Sequence, residues 1–409
     1  MRIAFTANPL PGHIVPMIPL VRAALAAGHS VAVVTGADAA PFVLAEGSPD
    51  VEVLAAGPPT LEAMADMQRE TGTSPATAPR PDVIAEYFGG RRVTATADDA
   101  IRAARAWRPH LVVSESLDHV GPYVAAALDV PFLRHSFGPE RPEAVRTAMA
   151  AVSARTAADR GVVLPPVAAW IDVYPAFLEA PGTVREGRRI PIRPAAHDAV
   201  GHDGVSHDAV GHDGVASPAD RRRRAVSPAS DSWPGSVRPR ALVTMGTVFT
   251  SQPLLDRVLA SIEEAGLQVD LVTTAVNGVR AEPTRHDSAV RIRNVPFRPL
   301  AELLAEVDAV VTVGGAGTVL GALAAGVPAV VMPLGADHAV NAARAEAAGA
   351  AVTVDGPEAV GAGLRRVLED GDLARSARVV AARIRELPPV EAALAEIEDL
   401  VVSATRERV

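Results

Sequence analysis

Residues 309–336 read AVVTVGGAGTVLGALAAGVPAVVMPLGA, 28 positions without a charged side chain. On hydropathy alone such a run is long enough to cross a bilayer as a helix. Its six Gly and two Pro point elsewhere, because they interrupt the run at intervals that a continuous helix does not keep. Ala309 to Thr312 is a strand, Gly314-Gly315-Ala316-Gly317-Thr318 a loop entering a helix near Gly317, and Ala329 to Met332 a second strand. Strand, glycine loop, helix and strand in that order predict a crossover between parallel strands.

The same pattern recurs on both sides. Arg240 to Met245 and Val269 to Thr273 add two strands upstream. In the first third, Arg2 to Ala7 predicts a strand, Asn8 to His13 a loop, Pro16 to Ala27 a helix stopped by Gly28, and Ser30 to Thr35 the next strand. Leu111 to Ser114 and Phe132 to Ser136 repeat the motif around a helical stretch from His119 to Leu128. The fold class is therefore α/β, with two Rossmann-like doubly wound domains. From about Gly356 the chain turns helical to its end.

Composition agrees. With 409 residues the chain is too long for one small module, and 48% hydrophobic against 21% charged residues is the balance of a globular protein. Aromatics are only 3%, so the core is built from Ala, Val and Leu. The net charge is −9 and every one of the 39 basic residues is Arg; an acidic chain without a basic, aromatic-rich face is a poor nucleic-acid binder. Zero Cys excludes disulfides, thiolate metal sites and a Cys nucleophile, and fits a reducing cytoplasm. The N-terminus shows no secretory signal.

Between the two halves the character changes. HDAVGHDGV occupies 197–205 and recurs at 207–215, followed by Arg221-Arg222-Arg223-Arg224. So few large apolar residues predict a flexible linker, although four His-Asp pairs at a spacing of five could also hold a divalent metal. The expected domains are 1–194, a linker at 195–238, a second domain at 239–385 and a C-terminal helix at 386–409 that could pack on either.

Ligands of open α/β sheets bind beyond the carboxyl ends of the strands, so the loops there hold the candidates. His13, after the first strand, suits a general base or a surface cap. Glu115 could fix its tautomer and stabilise its imidazolium, with Asp118 a competing carboxylate; either could equally be a helix N-terminal acid. Gly314 to Thr318 suits a phosphate at a helix N-terminus, or tight helix–sheet packing. Its spacing is neither the dinucleotide fingerprint nor a Walker motif. Asp337 could cap a helix or accept bonds from ligand hydroxyls.

With those residues in view, the chain resembles the GT-B glycosyltransferases of family 1, and within them the actinobacterial enzymes that attach deoxysugars to polyketide and other antibiotic aglycones. The likeness rests on PGHIVPMIPLVRAALAAGH (11–29), VVSESLDHVGPYVAAALDVP (112–131), Asp172 to Pro175, Ile190 to Pro194, and above all the donor motif from Val295 to Gly349. It implies two domains facing a cleft. It implies that His13 deprotonates an acceptor hydroxyl while Glu115 orients it, with Pro11, Gly12 and Asp118 near the acceptor. It further implies that Phe297 stacks on the nucleotide base, that Thr247, Gly315, Gly317 and Thr318 hold the diphosphate, and that Asp337 and His338 bind sugar hydroxyls. Acceptor choice is expected to lie in Thr60 to Ala100 and Pro139 to Ala168.

The implied activity is inverting transfer from a TDP- or UDP-sugar to a natural-product aglycone, with no cofactor and no metal. Expected partners are those two small molecules, with neither nucleic acid nor membrane, in a cytoplasmic protein for which a homodimer is open. One position departs from the family: where a His usually precedes Gly-Gly and contacts the donor phosphate, this chain has Val313. Either Arg298 or another cation compensates, or the chain is an idle homologue that acts as another enzyme's partner. A GT-B epimerase or hydrolase is the third possibility, which the His13 loop fits less well.

Overall fold

The computed structural model describes residues 1–75, 78–185, 187–194, 196, 236–246, 251–274, 279–281, 288–295 and 298–406. The His-Asp repeats, the arginine run, Thr247 and Phe297 lie outside the described residues. The chain divides into two units, Met1–Arg193 with Leu387–Val409, and Pro194–Glu386.

The first unit carries seven strands: β1 (Arg2–Thr6), β2 (Ser30–Thr35), β3 (Glu52–Ala55), β4 (Leu111–Glu115), β5 (Phe132–His135), β6 (Ala169–Asp172) and β7 (Arg189–Pro191). They pair in parallel in the order β3-β2-β1-β4-β5-β6-β7. Helices cover both faces, so the central strands are apolar on both sides and read as continuous Val/Ile/Leu runs. Ile3, Phe5, Leu111, Val113 and Leu133 face the helix Ile18–Ala26 and the C-terminal helix Val390–Arg406. Ala4, Val112 and Phe132 face the helices Arg92–Trp107 and Gly121–Leu128. Leu394 and Ile397 of the C-terminal helix are buried in the first of these cores, and Glu398 reaches His29 at 2.6 Å.

The second unit repeats the plan with β8 (Arg240–Thr244), β9 (Val269–Thr274), β10 (Val290–Val295), β11 (Ala309–Thr312), β12 (Ala329–Val331) and β13 (Ala351–Thr353), parallel in the order β10-β9-β8-β11-β12-β13. The 309–336 run is a strand, a loop, the helix Ala316–Ala325 and a strand. Among the described residues no helix is long and apolar enough to cross a membrane.

One local expectation changes. Pro11 to His13 is helical rather than looped: Pro11 presets the first turn of the helix Pro11–Ile14, and Pro16, with no N–H to give, turns the next residues into a 3₁₀ segment, Val15–Met17. Ser236 and Arg238 fall inside the stretch expected to be linker. Ser236 donates to Asp270 at 2.7 Å, and Arg238 donates to the carbonyls of Ser288 and Ala289, fastening this stretch to the second sheet.

Candidate active site

In a doubly wound sheet the chain leaves two neighbouring central strands in opposite directions, opening a crevice at their carboxyl ends. In the first unit that point lies between β1 and β4. The segment after β1 supplies Asn8 and His13, and the last residue of β4 is Glu115.

His13 Nδ1 lies 2.8 Å from Glu115 Oε1. The carboxylate is fully buried, and it also accepts from Asn8 Nδ2 at 2.5 Å and, through Oε2, from the Leu117 N–H at 2.6 Å. Burial pushes the Glu115 carboxyl up, but the His13 charge and these hydrogen bonds outweigh it and hold it below its ordinary value. Glu115 is therefore an acceptor only, which places a proton on Nδ1 of His13, so that in the neutral ring the lone pair is on Nε2. The rings of Phe137 and Phe88 stand 5.1 and 5.9 Å from the imidazole, so the base edge is framed by apolar surface. Gly12, beside it, has open space where a side chain would begin, and Pro11 starts the same turn.

Asp118 is placed differently from the expectation. It is 1% exposed, and its Oδ2 accepts from Thr6 at 2.5 Å, Ser114 at 2.9 Å and the Gly121 N–H at 3.0 Å. It locks β1, β4 and the helix Gly121–Leu128 together, and it has no exposed atom with which to meet an acceptor.

In the second unit the equivalent crevice point lies between β8 and β11. Gly314 has φ +99°, a left-handed value that glycine reaches without strain, and the helix Ala316–Ala325 starts directly behind it with Gly315 as its N-cap. A side chain at Gly315 or Gly317 would meet nothing within 4 Å, and the first N–H groups of this helix, with Thr318 beside them, have no partner within the helix, an arrangement that suits an anion. Asp337 precedes the helix His338–Ala347, after Ala336 at φ 48°. Asn341 donates to the Gly314 carbonyl at 2.8 Å and to Asp337 Oδ2 at 3.0 Å, tying the two loops.

Three donor-side expectations need correcting. Val313 is 2% exposed and packs among Met245, Val311, Val330 and Met332, so it lends the loop volume and no polar contact. Arg298 is held by Glu302 at 2.9 Å and Glu306 at 3.0 Å, which leaves its charge already matched. His338 is 6% exposed and packs on Gly314; burial pushes its pKa down against the pull of Asp337, and its Nδ1 accepts from the Leu334 N–H at 3.4 Å. The ring is turned inward and packed, which leaves Asp337 the more accessible of the two expected hydroxyl-binding residues. Thr247 and Phe297 lie outside the described residues. Among the described residues no cluster of three or more His, Asp or Glu is arranged to hold a metal.

Residues 22–180 match the family model for the N-terminal domain of erythromycin biosynthesis protein CIII-like proteins, and 262–399 match that for the C-terminal domain. The elloramycin glycosyltransferase ElmGT of Streptomyces olivaceus is 31% identical over 402 residues, 95% of this chain and 94% of that one. The chain belongs to the EryCIII-like glycosyltransferase family. A second relative of this glycosyltransferase, the L-demethylnoviosyl transferase of Streptomyces niveus, is 30% identical over 87% of this chain and 85% of its own. The Streptomyces sp. SF2575 glycosyltransferase SsfS6, crystallised with thymidine diphosphate, superposes with a TM-score of 0.73 at 25% identity, covering 98% of this chain and 99% of that one. The spinosyn rhamnosyltransferase SpnG, 21% identical, shares the GT-B fold at a TM-score of 0.75 over 97% and 100%. The protein is thus a nucleotide-sugar-dependent glycosyltransferase of the kind that decorates antibiotic and other natural-product scaffolds.

Proposed function

We propose that this glycosyltransferase moves a deoxysugar from a TDP- or UDP-sugar to a hydroxyl of a small-molecule natural-product aglycone, inverting the anomeric carbon and needing no metal. The observation that carries the reading is the His13–Glu115 pair at 2.8 Å, on the carboxyl edge of the first sheet. Nε2 of His13 takes the proton of the acceptor hydroxyl as that oxygen attacks the anomeric carbon. The carbon's bond to the nucleoside diphosphate breaks in the same step, and attack from the opposite face inverts the centre. Glu115 stabilises the imidazolium.

The leaving diphosphate gathers charge as it departs. Open N–H groups at the start of the helix Ala316–Ala325 supply fixed dipoles for that charge, which is where electrostatic stabilisation accelerates the step. SsfS6 crystallised with thymidine diphosphate, and relatives named for elloramycin, tylactone and aklavinone glycosylation, support the nucleotide and acceptor classes. Incubating the protein with TDP- and UDP-deoxysugars and a panel of aglycones, with mass detection and NMR of the product's anomeric configuration, tests it. A retained configuration would sink the inverting step.

One observation favours a second reading, an idle homologue that serves as another enzyme's partner: Val313 is buried and Arg298 already paired, so two candidate phosphate contacts are missing. Titration with TDP and UDP separates the two, because an idle homologue binds neither.

A further inference from the structure

Arg92 opens the helix Arg92–Trp107, directly after a π-helical segment, Glu86–Arg91. Such a segment re-aims the residues around it, and this one carries Phe88, whose ring stands 5.9 Å from His13, and is followed directly by Arg92, which reaches Asn8. Arg92 is 3% exposed and forms no ion pair among the described residues. Its Nε donates to Asn8 Oδ1 at 3.2 Å, and its Nη1 has no hydrogen-bond partner among the described residues. A buried guanidinium without a counter-charge beside it is costly to keep. The nearest acid along its hydrogen bonds is Glu115, reached through one amide.

That amide has only one workable orientation. A guanidinium can only donate and an ionised carboxylate can only accept, so Oδ1 of Asn8 must face Arg92 and Nδ2 must face Glu115. We propose that Asn8 and Arg92 are positioning residues for transfer, forming a buried relay from the Arg92 guanidinium through the Asn8 amide and Glu115 to Nδ1 of His13. Arg92 fixes the amide and polarises its N–H. Asn8 then holds Oε1 of Glu115 in the line that His13 needs and draws negative charge off it. The inference rests on His13 being the base, but the relay can be read without turnover.

Removing either member concentrates negative charge on Glu115 and makes the pair hold its proton more tightly, so the sign of the effect is fixed. Other charged or titratable groups around the pair are Arg134, which donates to the Glu115 and Ser116 carbonyls, Arg141 on Ser116, His119 near both arginines, His135 opposite Glu115 in the sheet, Asp118, and Tyr87 with Arg92 and Asp38 near it. Asn8→Ala, Arg92→Gln and Arg92→Lys leave all of these in place.

The test follows the His13 ring by NMR, assigned with His13→Gln, together with the pH profile of kcat/KM. The relay predicts that Asn8→Ala and Arg92→Gln raise the His13 titration, and the acid limb of kcat/KM, by roughly half a unit to one unit. It predicts that kcat falls about tenfold with little change in KM. Arg92→Lys, which keeps the charge, stays near the wild type. If Arg92→Gln does not fold, Asn8→Ala alone decides. Unmoved titration in folded variants would overturn the relay, whereas full activity of His13→Gln would overturn the base and leave the titration result standing.

Discussion

His13 and Glu115 meet through a single 2.8 Å contact between Nδ1 and Oε1, although 102 positions separate them. They meet because β1 and β4 are parallel neighbours in register, Thr6 opposite Ser114, so the last residue of β4 and the segment that follows β1 share one edge. Glu115→Gln keeps the shape and loses the charge, and its amide can present an N–H to the ring and favour the wrong tautomer. We expect kcat to fall by about 10²- to 10⁴-fold with the nucleotide's Kd unchanged, measured by steady-state kinetics and calorimetry.

Acid should destabilise the fold early. Burial holds His135 down at about 4 and His119 well below its ordinary value. Both are neutral in the native state, whereas an unfolded histidine takes its proton near pH 6.5. The depressed groups therefore favour folding above that pH, and their contribution is lost as pH falls from about 6.5 towards 4. For His135 it amounts to about 3 kcal/mol at most. Urea unfolding at pH 7.5 and 5.0 should show the loss, and His135→Phe should flatten it.

Val313→His restores the family's polar residue at the end of β11 but introduces a polar ring into a packed site. The expected trade is a gain of up to about 1.5–3 kcal/mol in TDP or UDP binding against a stability loss of about 1–3 kcal/mol. Calorimetry and thermal melts on the same preparation read both. Unchanged affinity would show that the buried position does not reach the nucleotide.

Asn341→Ala removes the bridge between Gly314 and Asp337. Each lost bond is worth roughly 0.5–1.5 kcal/mol, about 1–3 kcal/mol for the two, so donor KM should rise by about 5- to 150-fold at most while acceptor KM stays put. Initial-rate kinetics with each substrate varied in turn would check the split.

The C-terminal helix is part of the first unit's core. Leu394→Ala or Ile397→Ala leaves a void in that core and should cost about 2–5 kcal/mol. Equilibrium denaturation followed by circular dichroism would measure it.

Much of this was legible in the sequence, for physical reasons. The central strands are buried on both faces, so Val31 to Val34 or Ala309 to Val311 announce themselves as unbroken apolar runs ended by Gly, Pro or Asn. Outer strands do not: Glu52–Ala55 and Arg189–Pro191 carry charge and are short, and β6, β10 and β13 stand out no better. Glu115 and Asp118 could not be ranked from spacing, because the decision turns on where β4 stops. Glu115 shares the face of Leu111 and Val113, while Asp118 turns back onto Thr6 and Ser114. Arg92, Asn341 and the two Phe rings beside His13 had no motif to mark them. Their roles come from contacts that only the folded chain makes, such as the 84-residue separation between Arg92 and Asn8.

Whether His13 is the base of transfer is decided by His13→Ala. With the variant's fold confirmed by circular dichroism and its TDP affinity matched to the wild type, sugar transfer should fall by at least about 10²-fold. Transfer at the wild-type rate with the wild-type pH profile would contradict that role.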